Sequence, residues 1–132
     1  MIIVDTTVWI DYFNGLRTLH TNWLDIQLVR QRLGLTDLIL CEVLRGVRDD
    51  RQWQQLRRDL LKFEVFETGG IDLAVAAAQN YRVLRRQGLT VRATIDSLIA
   101  TFCLLNDHEL LHADHDYDAF ESALGLKVVH PF

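Results

Sequence analysis

The strongest constraint on the fold is an alternation along the chain: short, apolar, β-branched runs separated by longer amphipathic stretches. The chain begins Ile2-Ile3-Val4, which reads as a buried strand. Val8, Trp9, Tyr12 and Phe13 then recur at helical spacing, with Thr6 or Thr7 as the cap. Leu16, Leu19, Trp23 and Ile26 form the stripe of a second helix, and Leu33 to Thr36 a second strand. Asp37 starts a helix expected to turn Leu38, Cys41, Leu44 and Val47 inward. Asp49-Asp50 opens another, at the end of the helix dipole that favours acids, with Trp53, Leu56, Leu60 and Phe63 as its stripe. Val65-Phe66 is a short strand and Gly69-Gly70 a turn. Asp72 caps a helix carrying Leu73, Ala77, Tyr81 and Leu84, which Gly88 ends. Thr94 begins a helix burying Ile95, Leu98, Ile99 and Phe102, and Leu110 to His112 and Lys127 to Val129 complete the strands.

Strands separated by helices need crossover connections, which build a mainly parallel sheet with helices on both faces. The expected fold is therefore an α/β, three-layer α/β/α sandwich around a central five-stranded sheet. At 132 residues the chain is sized for one domain spanning 1–132, with no linker, repeat or low-complexity tract. No apolar stretch approaches the roughly 18 residues of a membrane span. The start of the chain lacks the basic region of a secretory signal. Cys41 and Cys103 fit neither a disulfide framework nor a paired zinc motif; both are expected to pack as small buried groups, and a cytoplasmic setting follows. A net charge of −4 argues against a general nucleic-acid coat protein. Yet 12 of the 14 basic residues lie between Arg30 and Arg92, and 12 of the 14 are Arg, whose fork grips phosphate.

Ligands of open parallel sheets sit beyond the carboxyl ends of the strands, and acids are placed there. Asp5 follows the first strand. Glu42 stands inside an otherwise apolar helix, Asp96 at the start of the last long helix, and Asp114 and Asp116 after the fourth strand. Each has an ordinary explanation alone, as a cap, a helix-start acid or a solvated turn. Together at one edge they would repel one another unless a cation joined them. Oxygen-only ligands suit Mg2+ or Mn2+ rather than zinc. His108 and His112 are four apart, but on a strand that spacing does not converge on a metal.

Four segments carry a family resemblance: Ile3-Val4-Asp5-Thr6-Thr7-Val8-Trp9-Ile10-Asp11, Cys41-Glu42-Val43-Leu44-Arg45-Gly46, Thr90 to Ala100 around Asp96, and Leu111-His112-Ala113-Asp114-His115-Asp116-Tyr117. In order and spacing they resemble the PIN-domain ribonucleases, and within them the VapC toxins of toxin–antitoxin pairs. The resemblance places the family's acids on Asp5, Glu42, Asp96 and the Asp114/Asp116 pair. It departs from the family pattern at His112, where Thr or Ser is frequent, and at Tyr117, where Phe is frequent. It implies Mg2+- or Mn2+-dependent endonucleolytic cleavage of RNA that stops translation or growth until a VapB-like antitoxin binds. The implied assembly is a homodimer with no membrane role. In this reading Thr6 holds or positions water beside Asp5. Arg45, Arg48, Arg82, Arg85, Arg86 and Arg92 are candidate phosphate contacts. The antitoxin's apolar residues are expected near Trp9, Tyr12, Phe13 and Trp23.

Other readings fare worse. A haloacid-dehalogenase-type phosphatase needs a second acid two residues after the first, where this chain has Thr7. A response-regulator receiver wants an acid pair at the first strand and a late Lys in the site; Asp5 has no adjacent acid. A PIN-like scaffold that only binds RNA or a partner is the remaining alternative.

Overall fold

The computed structural model describes residues 1–132. The elements run β1 (Ile2–Val4), α1 (Thr6–Phe13), α2 (Leu19–Gln27), β2 (Leu33–Thr36), α3 (Asp37–Arg45), α4 (Asp50–Leu60), β3 (Glu64–Phe66), α5 (Ile71–Arg86), α6 (Thr94–Leu105), β4 (Glu109–Leu111), a single 3-10 turn (His115–Tyr117), α7 (Asp118–Leu124) and β5 (Lys127–Val128). The five strands form one sheet in the order β3-β2-β1-β4-β5, and every neighbouring pair is parallel. Right-handed crossovers then fix the layers. Steps from β1 to β2 to β3 move one way along the sheet, so α1 to α4 cover one face. Steps from β3 to β4 to β5 move the other way, so α5 to α7 cover the opposite face. This is the expected α/β/α sandwich.

β1 lies in the middle with β2 on one side and β4 on the other, and all three of its residues are buried. Direction reverses between β1 and β4, so a crevice opens beyond their carboxyl ends. The core runs through both faces of the sheet, from Val8, Trp9, Leu24 and Ile39 on one side to Leu84, Ile99, Phe102 and Phe120 on the other. Gly34 in β2 has a specific reason to be glycine: an added Cβ would lie 2.9 Å from the Glu64 carbonyl oxygen and 3.0 Å from Met1 Sδ.

Several local expectations are corrected. The hydroxyls of Thr6 and Thr7 do not cap α1; Asp5 stands at its N-cap with no side-chain capping bond. The stripe assigned to the second helix is mostly outside: Leu16, Leu19 and Ile26 are exposed, while Thr21 and Leu24 are buried. That helix begins only at Leu19, where Thr18 and Thr21 close a reciprocal capping box, and its inner face carries Thr21 and Leu24. In α3 the buried residues are Ile39 and Val43, and Cys41 is exposed, whereas Cys103 is buried as expected. Gly70, with φ of 124°, takes the N-cap position of α5 assigned to Asp72. Helix α7 was not read from the sequence; it buries Phe120 and ends at Gly125, whose φ of 76° is left-handed. No helix is long and apolar enough to cross a membrane.

Candidate metal centre

Asp5 arrives at the crevice because β1 ends there. Its backbone N–H donates to the Leu111 carbonyl at 2.9 Å, a last sheet-like bond before the chain turns into α1. Its side chain is only 4% exposed. Asp96 comes from the first turn of α6, on the opposite face of the sheet, and is 8% exposed. Asp114 and Asp116 hang from the turn that follows β4. Asp114 Oδ1 accepts the Asp116 N–H at 2.9 Å, which holds the two acids in one bend. One oxygen each of Asp96, Asp114 and Asp116 lies within 4.8 Å of the others.

Asp5 and Glu42 fall outside that group and are tied to the crevice by hydroxyls. Thr6 Oγ1 donates to Glu42 Oε1 at 2.7 Å, so α1 holds the carboxylate that α3 presents. Tyr117 Oη stands 2.8 Å from Asp5 Oδ1 and 3.2 Å from Asp96 Oδ1, between the two acids. Thr7 Oγ1 makes a longer bond of 3.4 Å to the other oxygen of Asp5. All five acids expected from the sequence are thus at one edge of the sheet, and Thr6 reaches Glu42. Tyr117 was read only as a departure from a family pattern. Its part in the site is invisible in sequence, because its two partners lie 112 and 21 residues away.

The electrostatics follow from burial among like charges. Burial pushes the Asp5 carboxyl up to about 7, against the lowering effect of the Tyr117 bond, and the charges of Asp96 and Glu42 add to it. Asp96 rises to about 6, through burial and then the charge of Asp114. Tyr117 is raised well above the ordinary phenol range by burial and by both acids. The one base at the cluster is Arg92, an exposed side chain whose Nε lies 4.0 Å from Asp116 Oδ1. It pairs with the turn rather than with Asp96, four residues along the chain.

The donor set consists of carboxylate oxygens, with no free imidazole or thiolate among them, which fits a hard divalent cation. His112 does not offer a nitrogen. Its Nδ1 accepts the Asp114 N–H at 3.1 Å, so the ring's proton sits on Nε2, which is buried without a partner. Burial also lowers its pKa, in keeping with a neutral ring. His115 pairs outward with Asp118 at 3.0 Å, not with the acids. Asp37, at the carboxyl end of β2, is an acid at the same edge with a different use. Its Oδ1 accepts from Thr68 Oγ1 at 2.6 Å, Leu38 N–H at 2.9 Å and Thr68 N–H at 3.2 Å. Those three donors satisfy it without a cation.

Known proteins place this architecture. A PIN domain family model matches residues 2–122. A VapC ribonuclease of Mycobacterium bovis and Ribonuclease VapC11 of Mycobacterium tuberculosis are each 30% identical over 132 residues, covering 96% of both chains. Among solved structures, VapBC2 from Rickettsia felis bound to a DNA fragment from its promoter superposes with a TM-score of 0.77 at 17% identity, over 98% of each chain. FitAcB from Neisseria gonorrhoeae gives a TM-score of 0.77 at 18% identity, over 99% of this chain and 98% of that one. With a family model over nearly its whole length and full-length relatives at this identity, the chain belongs to the PIN-domain family and, within it, to the VapC group.

Proposed function

We propose that this chain is the toxin of a toxin–antitoxin pair, a Mg2+- or Mn2+-dependent endoribonuclease that halts translation or growth until its antitoxin binds. The observation that carries the reading is the cluster itself: Asp5, Glu42, Asp96, Asp114 and Asp116 from four chain segments meet at one crevice, two of them with carboxyls pushed to about 7 and about 6 by burial and mutual repulsion. Such an arrangement is unfavourable for these side chains alone and favourable around a cation. The VapC names of the relatives and the VapBC assemblies among the similar structures agree with it.

When bound there, a divalent ion supplies an activated water and charge stabilisation at a phosphodiester. The protein's own groups have separable tasks. Asp96, Asp114 and Asp116 would hold the ion, with Asp5 and Glu42 completing the set. Glu42 comes from α3 and is held by the Thr6 hydroxyl at the crevice. Arg92, exposed beside Asp116, is the nearest phosphate contact. An open groove of about 650 Å³ leads away from it between α5 and α6, with Tyr81, Arg82 and Arg85 along its wall. Arg45, Arg48 and Arg86 are also exposed and free to meet the RNA backbone.

The partner reading draws on the α1–α2 region. Phe13, Leu16, Leu19 and Ile26 are exposed there, beside half-buried Tyr12 and Trp23, and offer an apolar surface to an antitoxin segment. Trp9, grouped with them from sequence, is fully buried and is part of the floor rather than of the contact surface. A homodimer would cover a second exposed pair, Ile71 and Val75 on α5. The cellular setting proposed is the cytoplasm.

The test is cleavage of a mixed RNA pool by purified protein with Mg2+, with Mn2+ and after exhaustive EDTA treatment, followed by sequencing of the new ends. Discrete new ends that appear only with the metals are expected. Cleavage that survives EDTA overturns the metal reading. Binding of RNA without cleavage under any metal leaves the non-enzymatic scaffold in its place.

A further inference from the structure

Tyr117 is fully buried, and a phenylalanine ring would fill the same space. What the tyrosine adds is one hydroxyl, and that hydroxyl is placed where a lone polar group would be costly unless bonded. It lies 2.8 Å from Asp5 Oδ1 and 3.2 Å from Asp96 Oδ1, on carboxylates contributed by the end of the central strand and by α6. The ring is held in turn by His112, whose ring centroid is 4.7 Å away at a 44° tilt. His112 is itself fixed by the Asp114 N–H. Tyr117 closes the same turn that carries Asp114 and Asp116, and no other side-chain hydrogen bond joins that turn to Asp5 or Asp96.

We propose that Tyr117 is the positioning residue of the acid cluster: its hydroxyl takes one oxygen of Asp5 and one of Asp96, fixes the rotamers of both, and locks the Asp114/Asp116 turn in register with them. The role rests on the metal-dependent reading above and adds to it a residue that touches neither ion nor RNA. A single phenolic proton serves one acceptor at a time, and the shorter contact is to Asp5. The hydroxyl therefore supports the pair without neutralising it, and the other oxygen of each acid stays clear of the hydroxyl. Residues that orient metal ligands in this way, when removed, characteristically weaken metal affinity by 10–100-fold.

The test is Mn2+ affinity of the full chain without RNA, followed by electron paramagnetic resonance, for the unsubstituted protein, Tyr117→Phe and Tyr12→Phe. Tyr12 is a control because its hydroxyl also donates to a carboxylate, Asp25 at 3.0 Å, away from the crevice. Tyr117→Phe should bind Mn2+ roughly tenfold or more weakly, within the range for such supporting residues, while Tyr12→Phe is unchanged. A folded Tyr117→Phe with affinity within about twofold of the unsubstituted chain overturns the role and leaves the nuclease reading intact. Absence of Mn2+ and Mg2+ binding by the unsubstituted chain overturns both. A measurement that needs no substitution of Tyr117 covers the case in which the variant fails to fold. With tyrosine labelled at Cζ, the Tyr117 carbon resonance should move along a Mg2+ titration while those of Tyr12 and Tyr81 stay in place. A Tyr117 resonance indifferent to Mg2+ overturns the role as well.

Discussion

The two edges of the sheet use the same residue types in opposite ways. At the amino end of the strands exposed acids meet bases: Arg32 pairs with Glu64 at the start of β3, and Lys127 at the start of β5 pairs with Asp107 at 2.7 Å. The Lys127 bond holds the Asp107 carboxyl below its ordinary range. At the carboxyl end acids crowd one another, Asp5 and Asp96 are buried, and the carboxyls of those two go up. Fold stability explains the first edge, since solvated pairs of opposite sign cost nothing to keep. It does not explain the second, where removing a charge should relieve strain. An arrangement unfavourable to the empty protein points to something the protein binds.

The largest expected effect is on catalysis. Asp96→Asn and Asp5→Asn should each reduce RNA cleavage by more than about a hundredfold, beyond the range seen for residues that only support a metal ligand. In metal-free protein each should leave the melting temperature unchanged or slightly higher, because one member of a self-repelling set has gone. Cleavage assays beside metal-free melts check both halves. A large fall in melting temperature would assign the residue to the fold and erase the contrast between the edges.

A second contrast is in the sign of the pH dependence. In the folded, metal-free chain Asp5 and Asp96 titrate near 7 and 6, against about 3.8 when unfolded, so the native state binds more protons across that interval. Their contribution to stability is fully present below about pH 4 and is lost as pH rises toward 7. Asp107, depressed, works the other way: its contribution is present above the unfolded value and is lost only as pH falls through the lowered one. Denaturant melts of metal-free protein should therefore lose stability between about pH 4 and 7. Saturating Mg2+ should remove or reverse that slope, because it binds the deprotonated carboxylates. Stability that rises over this interval without metal would contradict the buried-acid account.

Thr6→Val tests the link between α1 and α3 on a smaller scale. It keeps the β-branched shape and deletes the 2.7 Å bond to Glu42, which belongs to the stronger, charge-assisted class. The expected loss of cleavage is roughly tenfold, the lower end for a supporting residue. Full activity would mean that Glu42 is held by other means or is not used.

Much of this was legible in the chain because it rests on local patterns. Ile2-Ile3-Val4 followed at once by a helical period can only be a strand feeding a crossover, and acids that directly follow strands or open helices must gather at the carboxyl edge. What was not legible depends on long-range geometry. The apolar stripe of Leu16, Leu19 and Ile26 has helical spacing, yet the helix starts after Leu16, at the Thr18 box, and packs through Thr21 and Leu24, leaving those three exposed. Cys41 sits in a run of apolar residues on α3, but the inner face belongs to Ile39 and Val43. Tyr117, in the run Asp114-His115-Asp116-Tyr117-Asp118, stands out in sequence only as a departure from a family pattern, and only the packing of β1, α6 and the turn places its hydroxyl between two acids. The exposed apolar residues of α1 and α2 belong to the same lesson: periodicity says that a face exists, not what covers it.

The smallest effect is expected at the opposite edge, and it is the control that gives the others meaning. Lys127 and Asp107 are both largely exposed, and pairs of this kind contribute little because water screens them and two mobile side chains must be held. Asp107 has a second constraint, a backbone φ of 55°, which asparagine tolerates as well as aspartate does. Asp107→Asn therefore removes the charge and keeps the turn. It should leave Mn2+ affinity and RNA cleavage unchanged and shift the melting temperature slightly downward, by an amount that shrinks as salt is added. The same charge deletion at Asp96 should abolish cleavage without destabilising the metal-free chain. If Asp107→Asn instead changed metal affinity, the two edges would be coupled through β4, and the division of labour between them would have to be redrawn.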